Sequence, residues 1–121
     1  MSAVQIKKLR QVYLVAADLA AAVKFYGGTL GLPLQFRDGD RWVQFQAGEV
    51  SFALASEAEG MGAPVGVPVP VFEVADLDAA RAELAASGHR TGDVRDMGKH
   101  GRTATVVDPN SAHLVLFQRS S

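Results

Sequence analysis

The side chains of this sequence that could move a proton or hold a metal are few and scattered. There are three histidines, His89, His100 and His113, thirteen acidic residues and no cysteine. Without cysteine there is no thiolate nucleophile, no disulfide and no thiolate metal site, so any cation would have to be held by His, Asp, Glu or Gln. Glu73 and His113 are the candidates for acid or base work, because each stands in a stretch that reads as a strand rather than a loop. A carboxylate on a strand facing a cavity must be solvated, paired or functional. The bland alternative for Glu73 is an edge glutamate reaching water or an arginine, and a single histidine without a neighbour at ligand spacing is weak evidence of a site. His89 follows Gly88, and His100 lies in Met97-Gly98-Lys99-His100-Gly101, so both are expected in solvent. That glycine-rich loop reads either as a flap over a cavity or as a long hairpin tip.

The elements that would position these residues are set by an internal repeat. Ala17-Asp18-Leu19-Ala20-Ala21-Ala22 recurs as Ala75-Asp76-Leu77-Asp78-Ala79-Ala80, an offset of 58 residues that nearly halves the chain. A strand pattern precedes each copy, Leu9 to Val15 and Val67 to Val74, and a helix follows it. Asp18 and Asp76 are placed as N-caps. The first helix presents Leu19, Ala22, Val23, Tyr26 and Leu30 at helical spacing and ends at Gly31 and Pro33, and the second presents Leu77, Ala80 and Leu84 and ends at Gly88. Further strands are expected at Leu34 to Arg37, Arg41 to Gln46 and Val50 to Ala55, and at Arg90 to Val94, Arg102 to Val107 and His113 to Gln118. Gly60, Gly62, Pro64, Gly66, Pro68 and Pro70 give the segment between the halves the chemistry of a linker.

The expected fold is therefore α+β, two tandem βαβββ modules, about 1–56 and 68–121, joined by a linker at about 57–67 within one domain of 121 residues. Each module has one helix to cover one face of its strands, so the uncovered faces are expected to curl as a sheet around a ligand cleft. Twelve Lys and Arg against thirteen Asp and Glu leave a net charge of −1, without the basic excess that binds nucleic acid or anionic membrane. The Lys7-Lys8 pair with Arg10 reads as a solvated edge. Gly27-Gly28 lies near a helix end rather than before a helix start, so it is no phosphate loop. The first apolar run stops at Asp18, too short for a signal or a membrane span, so the expected location is the cytoplasm.

Val12-Tyr13-Leu14-Val15-Ala16-Ala17-Asp18-Leu19 leading to Phe25-Tyr26 and Leu30-Gly31-Leu32, the second Ala-Asp-Leu, and Asp108-Pro109-Asn110 before Leu114-Val115-Leu116 form an ordered set over nearly the whole chain. In this set the chain resembles the vicinal oxygen chelate superfamily of glyoxalases, bleomycin-resistance proteins and extradiol dioxygenases. Ser111 stands where such turns usually carry Gly. The resemblance implies a divalent metal held by His and Glu side chains from the first and last strands of each module. Those places fall on Gln11, on Ala53 or Phe52, on Val69 or Pro70, and on Val115, of which only Gln11 could ligate. It also implies a homodimer.

With no metal or other cofactor expected, strand alternation supplies the lining of the cleft. If Val12, Leu14, Phe45, Phe52, Leu54, Phe72, Leu114 and Leu116 pack under the helices, the opposite face carries Gln11, Tyr13, Trp42, Gln44, Ser51, Glu73, Thr103, His113, Val115 and Phe117. Trp42, Tyr13 and Phe117 would stack on a flat ligand, while Gln44, Glu73 and His113 would orient it. Trp42 is the only tryptophan, and core or dimer interface is its ordinary use. With one carboxylate, one imidazole and no cluster of arginines, this lining favours a hydrophobic or aromatic ligand over a polyanion, although Arg37, Arg41 and Arg102 could sit at the rim. The functional expectation is a metal-free protein of the bleomycin-resistance type that sequesters such a natural product. The alternative is a glyoxalase- or dioxygenase-like enzyme with a displaced metal among Gln11, Glu73 and His113, or with Glu73 and His113 as acid and base without one.

Overall fold

The computed structural model describes residues 4–120; the first three residues of the N-terminal segment weighed above lie outside it. The chain is α+β and carries the βαβββ module twice. In the first module these are β1 (Ile6–Val15), α1 (Leu19–Val23), β2 (Leu34–Asp38), β3 (Trp42–Ala47) and β4 (Val50–Ala55). In the second they are β5 (Val69–Val74), α2 (Leu77–Ala86), β6 (Arg95–Asp96), β7 (Arg102–Val107) and β8 (His113–Gln118).

The residues group as two compact units, one of residues 11–69 and one of residues 70–121 together with the chain up to Arg10. Within residues 11–69 the strands lie in the order β2-β3-β4-β1, with β1 parallel to β4 and the others antiparallel. In the other unit the order β5-β8-β7-β6 repeats this plan, β5 parallel to β8 and the rest antiparallel. Each module thus closes by laying its last strand beside its first, which is the structural meaning of the sequence repeat.

Both helix starts follow from the aspartates. Asp18 accepts from the Ala21 N–H and Asp76 from the Ala79 N–H, each at 3.0 Å, satisfying a donor that the first helical turn leaves unpaired. The α2 start gains a second acceptor, because Gln118 Oε1 takes the Leu77 N–H at 2.7 Å. Each helix covers one apolar face. Leu77 and Ala80 pack with Val74, Ala104, Val106 and Leu116, and α1 contributes Leu19, Ala22 and Val23 against Val43, Phe45 and Leu54. Of the predicted inward set, Leu14, Phe45, Phe52, Leu54, Phe72, Leu114 and Leu116 lie in these two clusters, and Val12 lies in neither.

Two local expectations are corrected. The first helix is not regular through Leu30: after Val23 it widens into a π-helical turn, Lys24–Thr29, closed by Leu30 N–H donating to Phe25 O. A π turn shifts the angular phase, so Leu30 ends up 57% exposed and Leu32 takes the place against the core. Arg90 to Val94 forms no strand, since only Thr91 bridges to Val106, and the short pairing falls on Arg95–Asp96. The segment between the modules forms no continuous strand, but it touches β1: Val65 bridges to Val15 and the Gly66 N–H donates to Val15 O at 2.9 Å.

Candidate functional site

The helix-free face of residues 11–69 carries a connected amide network. Parallel pairing sets Gln11 beside Ser51 and Tyr13 beside Ala53, while antiparallel pairing sets Gln44 beside Ala53 and Trp42 beside Ala55. Gln44 is the hub: its Oε1 accepts from Gln11 Nε2 at 2.8 Å and from the Trp42 indole N–H at 3.1 Å. Its Nε2 donates to Gln35 Oε1 at 2.8 Å, and that oxygen also accepts from the Ser51 hydroxyl at 3.0 Å. The Trp42 ring leans on Tyr13, centroids 5.5 Å apart at 48°. Tyr13 itself is buried, its hydroxyl donating to Gly60 O at 3.0 Å, and burial pushes its phenol up to about 12. Tyr13 therefore acts as a backing wall for Trp42, which is half-buried with one face supported.

Gln35 did not emerge from strand alternation. It sits where the β2–β3 register shifts between the Leu34↔Phe45 and Phe36↔Gln44 pairs, and a bulge re-aims a side chain in a way that a strict period of two does not foresee. The signal in the sequence was the exposed edge strand itself, too short to fix its register.

The helix-free face of the second unit is differently built. Register places Glu73 beside Phe117, Phe117 beside Thr103 and Thr103 beside Arg95, one row across four strands. Glu73 is 3% exposed, and its carboxylate takes Arg10 Nη1 at 3.1 Å, Lys7 Nζ at 3.6 Å and Arg119 Nε at 3.7 Å. Arg10 also lies over the Phe117 ring, 4.2 Å from guanidinium carbon to centroid. Lys7 keeps the exposure expected of a solvated edge while Arg10 is drawn against the carboxylate and the ring, and the expected lining without clustered arginines is corrected. Arg102 is not in this group; it pairs with Asp78 at 3.0 Å, and its hydrogen bond and charge hold that carboxyl below its ordinary value.

His113 pairs with Val107, four residues along β8 from Phe117, about 13 Å at strand rise. The structure therefore does not bring His113 and Glu73 to one point as a shared acid and base. Val115 is buried beside Val71 and Thr105. A groove of about 630 Å³ opens at that end of the unit, with His89, Arg90, Thr105, Asp108 and Ser111 in its walls. The Gly98 to Gly101 loop is a pinned hairpin tip: Gly98 N–H donates to Asp96 Oδ1 and Met97 N–H to Gly101 O.

At the places where the resemblance implies metal ligands, Ala53, Val69 and Val115 are buried and apolar, and the Gln11 amide is engaged by Gln44. Among the described residues no three His, Asp or Glu side chains gather in reach of a common ion. These donors do not fit a divalent cation.

The whole-chain comparison agrees with the repeat and its strand order. Residues 8–117 match the model of the Glyoxalase/Bleomycin resistance protein/Dioxygenase superfamily, and the chain belongs to that family, which has the vicinal oxygen chelate fold. It is 33% identical over 115 residues to an uncharacterised protein of Mycolicibacterium smegmatis, covering 91% of this chain and 92% of that one. Among solved structures it is similar to an H200Q variant of homoprotocatechuate 2,3-dioxygenase from B. fuscum, with a TM-score of 0.75 and 24% identity, covering 99% of this chain and 34% of the dioxygenase. It is also similar to methylmalonyl-CoA epimerase from Mycobacterium tuberculosis, with a TM-score of 0.70 and 17% identity over 100% of this chain and 93% of the epimerase. At these identities the two structures speak for the fold alone. Among the described residues no helix is long and apolar enough to cross a membrane.

Proposed function

We propose that this chain is a small-molecule-binding protein of the bleomycin-resistance type, taking a flat, largely hydrophobic ligand without the help of a metal. The observation that carries this reading is the Trp42–Gln44–Gln11 chain of hydrogen bonds on the helix-free face, with Trp42 backed by Tyr13. A half-exposed indole whose N–H is already satisfied offers an aromatic surface at a fixed tilt, and neighbouring amides supply donors and acceptors at its rim. The apolar residues at the family's metal positions support binding over Lewis-acid chemistry at those places. A separated Glu73 and His113 give no support to a paired acid–base enzyme.

The test is a titration of the purified full chain with a panel of planar aromatic natural products, read by Trp42 fluorescence and thermal shift, with and without added nickel, zinc, iron(II) or manganese. Saturable quenching with a rise in melting temperature, no dependence on metal, and recovery of the ligand unchanged is the expected result. Recovery of a chemically altered compound, or binding that requires metal, would overturn the reading in favour of an enzyme.

A further inference from the structure

The carboxylate of Glu73 is more heavily countered than its own charge requires. One buried carboxylate is neutralised by one guanidinium, and Arg10 fills that role at 3.1 Å while held against Phe117. Lys7 and Arg119 add two further cations at 3.6 and 3.7 Å, with side chains 55% and 65% exposed, so the cluster of four carries a surplus of positive charge facing water. Mutual repulsion among three cations around one anion works against the fold unless a second anion joins them.

An independent observation comes from the other side of Phe117. Thr103, its register partner on β7, is 5% exposed, and its hydroxyl has no hydrogen-bond partner. A buried hydroxyl without a partner is a standing cost that an acceptor would relieve. Gly101 keeps the approach to this ring tight, since a Cβ there would come within 2.6 Å of Phe117 Cε1. Cations on one flank of an aromatic floor and an unused hydroxyl on the other are the parts of a site for a small oxyanion.

We infer that Lys7, Arg10 and Arg119, with Thr103 and the Phe117 ring, form a binding site for the oxyanion of a small organic acid, a carboxylate or a phosphate, with Glu73 as the internal counter-ion that holds Arg10 in place. This site is built within the second unit and stands apart from the reading of the Trp42 face. Glu73 is here a positioning residue, acting through Arg10.

The experiment is a nuclear magnetic resonance titration of the full chain with benzoate, inorganic phosphate and phenyl phosphate, with benzamide as the uncharged counterpart of benzoate. Saturable shifts at the amides of Thr103, Phe117 and Arg119 with at least one oxyanion, and none with benzamide, are expected. A preference for phosphate or for benzoate identifies which acid the site takes. The double variant Lys7→Gln, Arg119→Gln, at two exposed positions, binds about tenfold weaker or worse. Thr103→Val weakens binding by about threefold or more, and Lys24→Gln on the α1 side leaves it unchanged. Equal response to benzamide, no saturable shift at these amides, or unaltered affinity in the double variant would overturn the assignment.

Discussion

The Tyr13 hydroxyl donates to the carbonyl of Gly60 at 3.0 Å, tying the C-terminal end of β1 to the segment that follows β4. Gly60 is buried, and any Cβ there would overlap Val15 Cγ2, so glycine is what allows the loop to come close enough for the bond. Burial raises the Tyr13 phenol to about 12 from 10.0. Because the folded value is raised, the unfolded chain ionises first: the contribution is whole below pH 10 and is lost as pH climbs through 12. The loss over that window is about 2 to 3 kcal/mol. Tyr13→Phe is expected to cost about 1 kcal/mol or less at neutral pH, by removing one of the two donors to the Gly60 carbonyl, which keeps the Ala63 N–H, and to flatten the alkaline fall in stability. Urea unfolding at neutral pH and at several points above pH 10 checks both effects.

Gln44 offers a second measurement, independent of any ligand. Its side-chain oxygen serves both Gln11 and Trp42, so Gln44→Met keeps the volume and removes one acceptor from two donors. The site is half-exposed and water can replace part of what is lost, which sets the expected destabilisation at about 1 kcal/mol. Trp42 emission should also change, since the indole N–H loses its partner, and affinity for a ligand stacking on Trp42 should fall. An unchanged emission spectrum would mean that this hydrogen bond does not hold in solution.

Much of this arrangement was legible in the sequence because it rests on local signals. Val50–Ala55, Arg102–Val107 and His113–Gln118 are found at their predicted bounds, since each is a short apolar or β-branched stretch bounded by turn-forming residues. The aspartate caps were equally legible, because a cap bonds within three residues of itself. An arginine partner for Glu73 was among the expectations, but which arginine was not legible. Arg10 lies 63 residues away along the chain, and strand pairing over that distance leaves no trace in local spacing. Lys7 and Arg10 are also an odd number of positions apart, so alternation assigns them to opposite faces; their long side chains bring both heads to one carboxylate regardless. The π turn at Lys24–Thr29 was hidden for a different reason, as Tyr26 and Leu30 fit a regular helix until Gly27 packs against Phe45.

Ser111 carries the one departure from the family's turn that has a backbone cost. Its φ is +69°, the left-handed region that glycine enters freely and serine does not. The turn is otherwise well tied: Asp108 Oδ1 accepts from the N–H groups of Asn110 and Ala112, and Asp108 O accepts from Ser111. Ser111→Gly is therefore expected to stabilise by about 0.5 to 1 kcal/mol, the relief of strain exceeding the greater freedom glycine gives the unfolded chain. Because Ser111 also lines the groove beside His89 and Arg90, a lower melting temperature in this variant would show that the serine side chain contributes a contact worth more than the strain.

Gly101 is under a stricter constraint than Ser111, because conformation and space act together. Its φ is +94°, and an added Cβ would stand 2.5 Å from the Gln118 carbonyl oxygen and 2.6 Å from Phe117 Cε1. The first obstacle is backbone of β8 and cannot turn aside; the second is a ring held under Arg10. Gly101→Ala must therefore push β7 from β8 or displace Phe117, at an expected cost of about 2 to 4 kcal/mol. Displacing Phe117 also removes the floor beneath Arg10, so the variant should lose affinity for benzoate or phosphate beyond its loss of stability. Comparing it with Gly48→Ala separates the two causes. Gly48 has φ +69° and open space where a Cβ would stand, with nothing within 4 Å, so that substitution carries conformational strain without overlap. It is expected to cost about 1 kcal/mol with oxyanion binding intact.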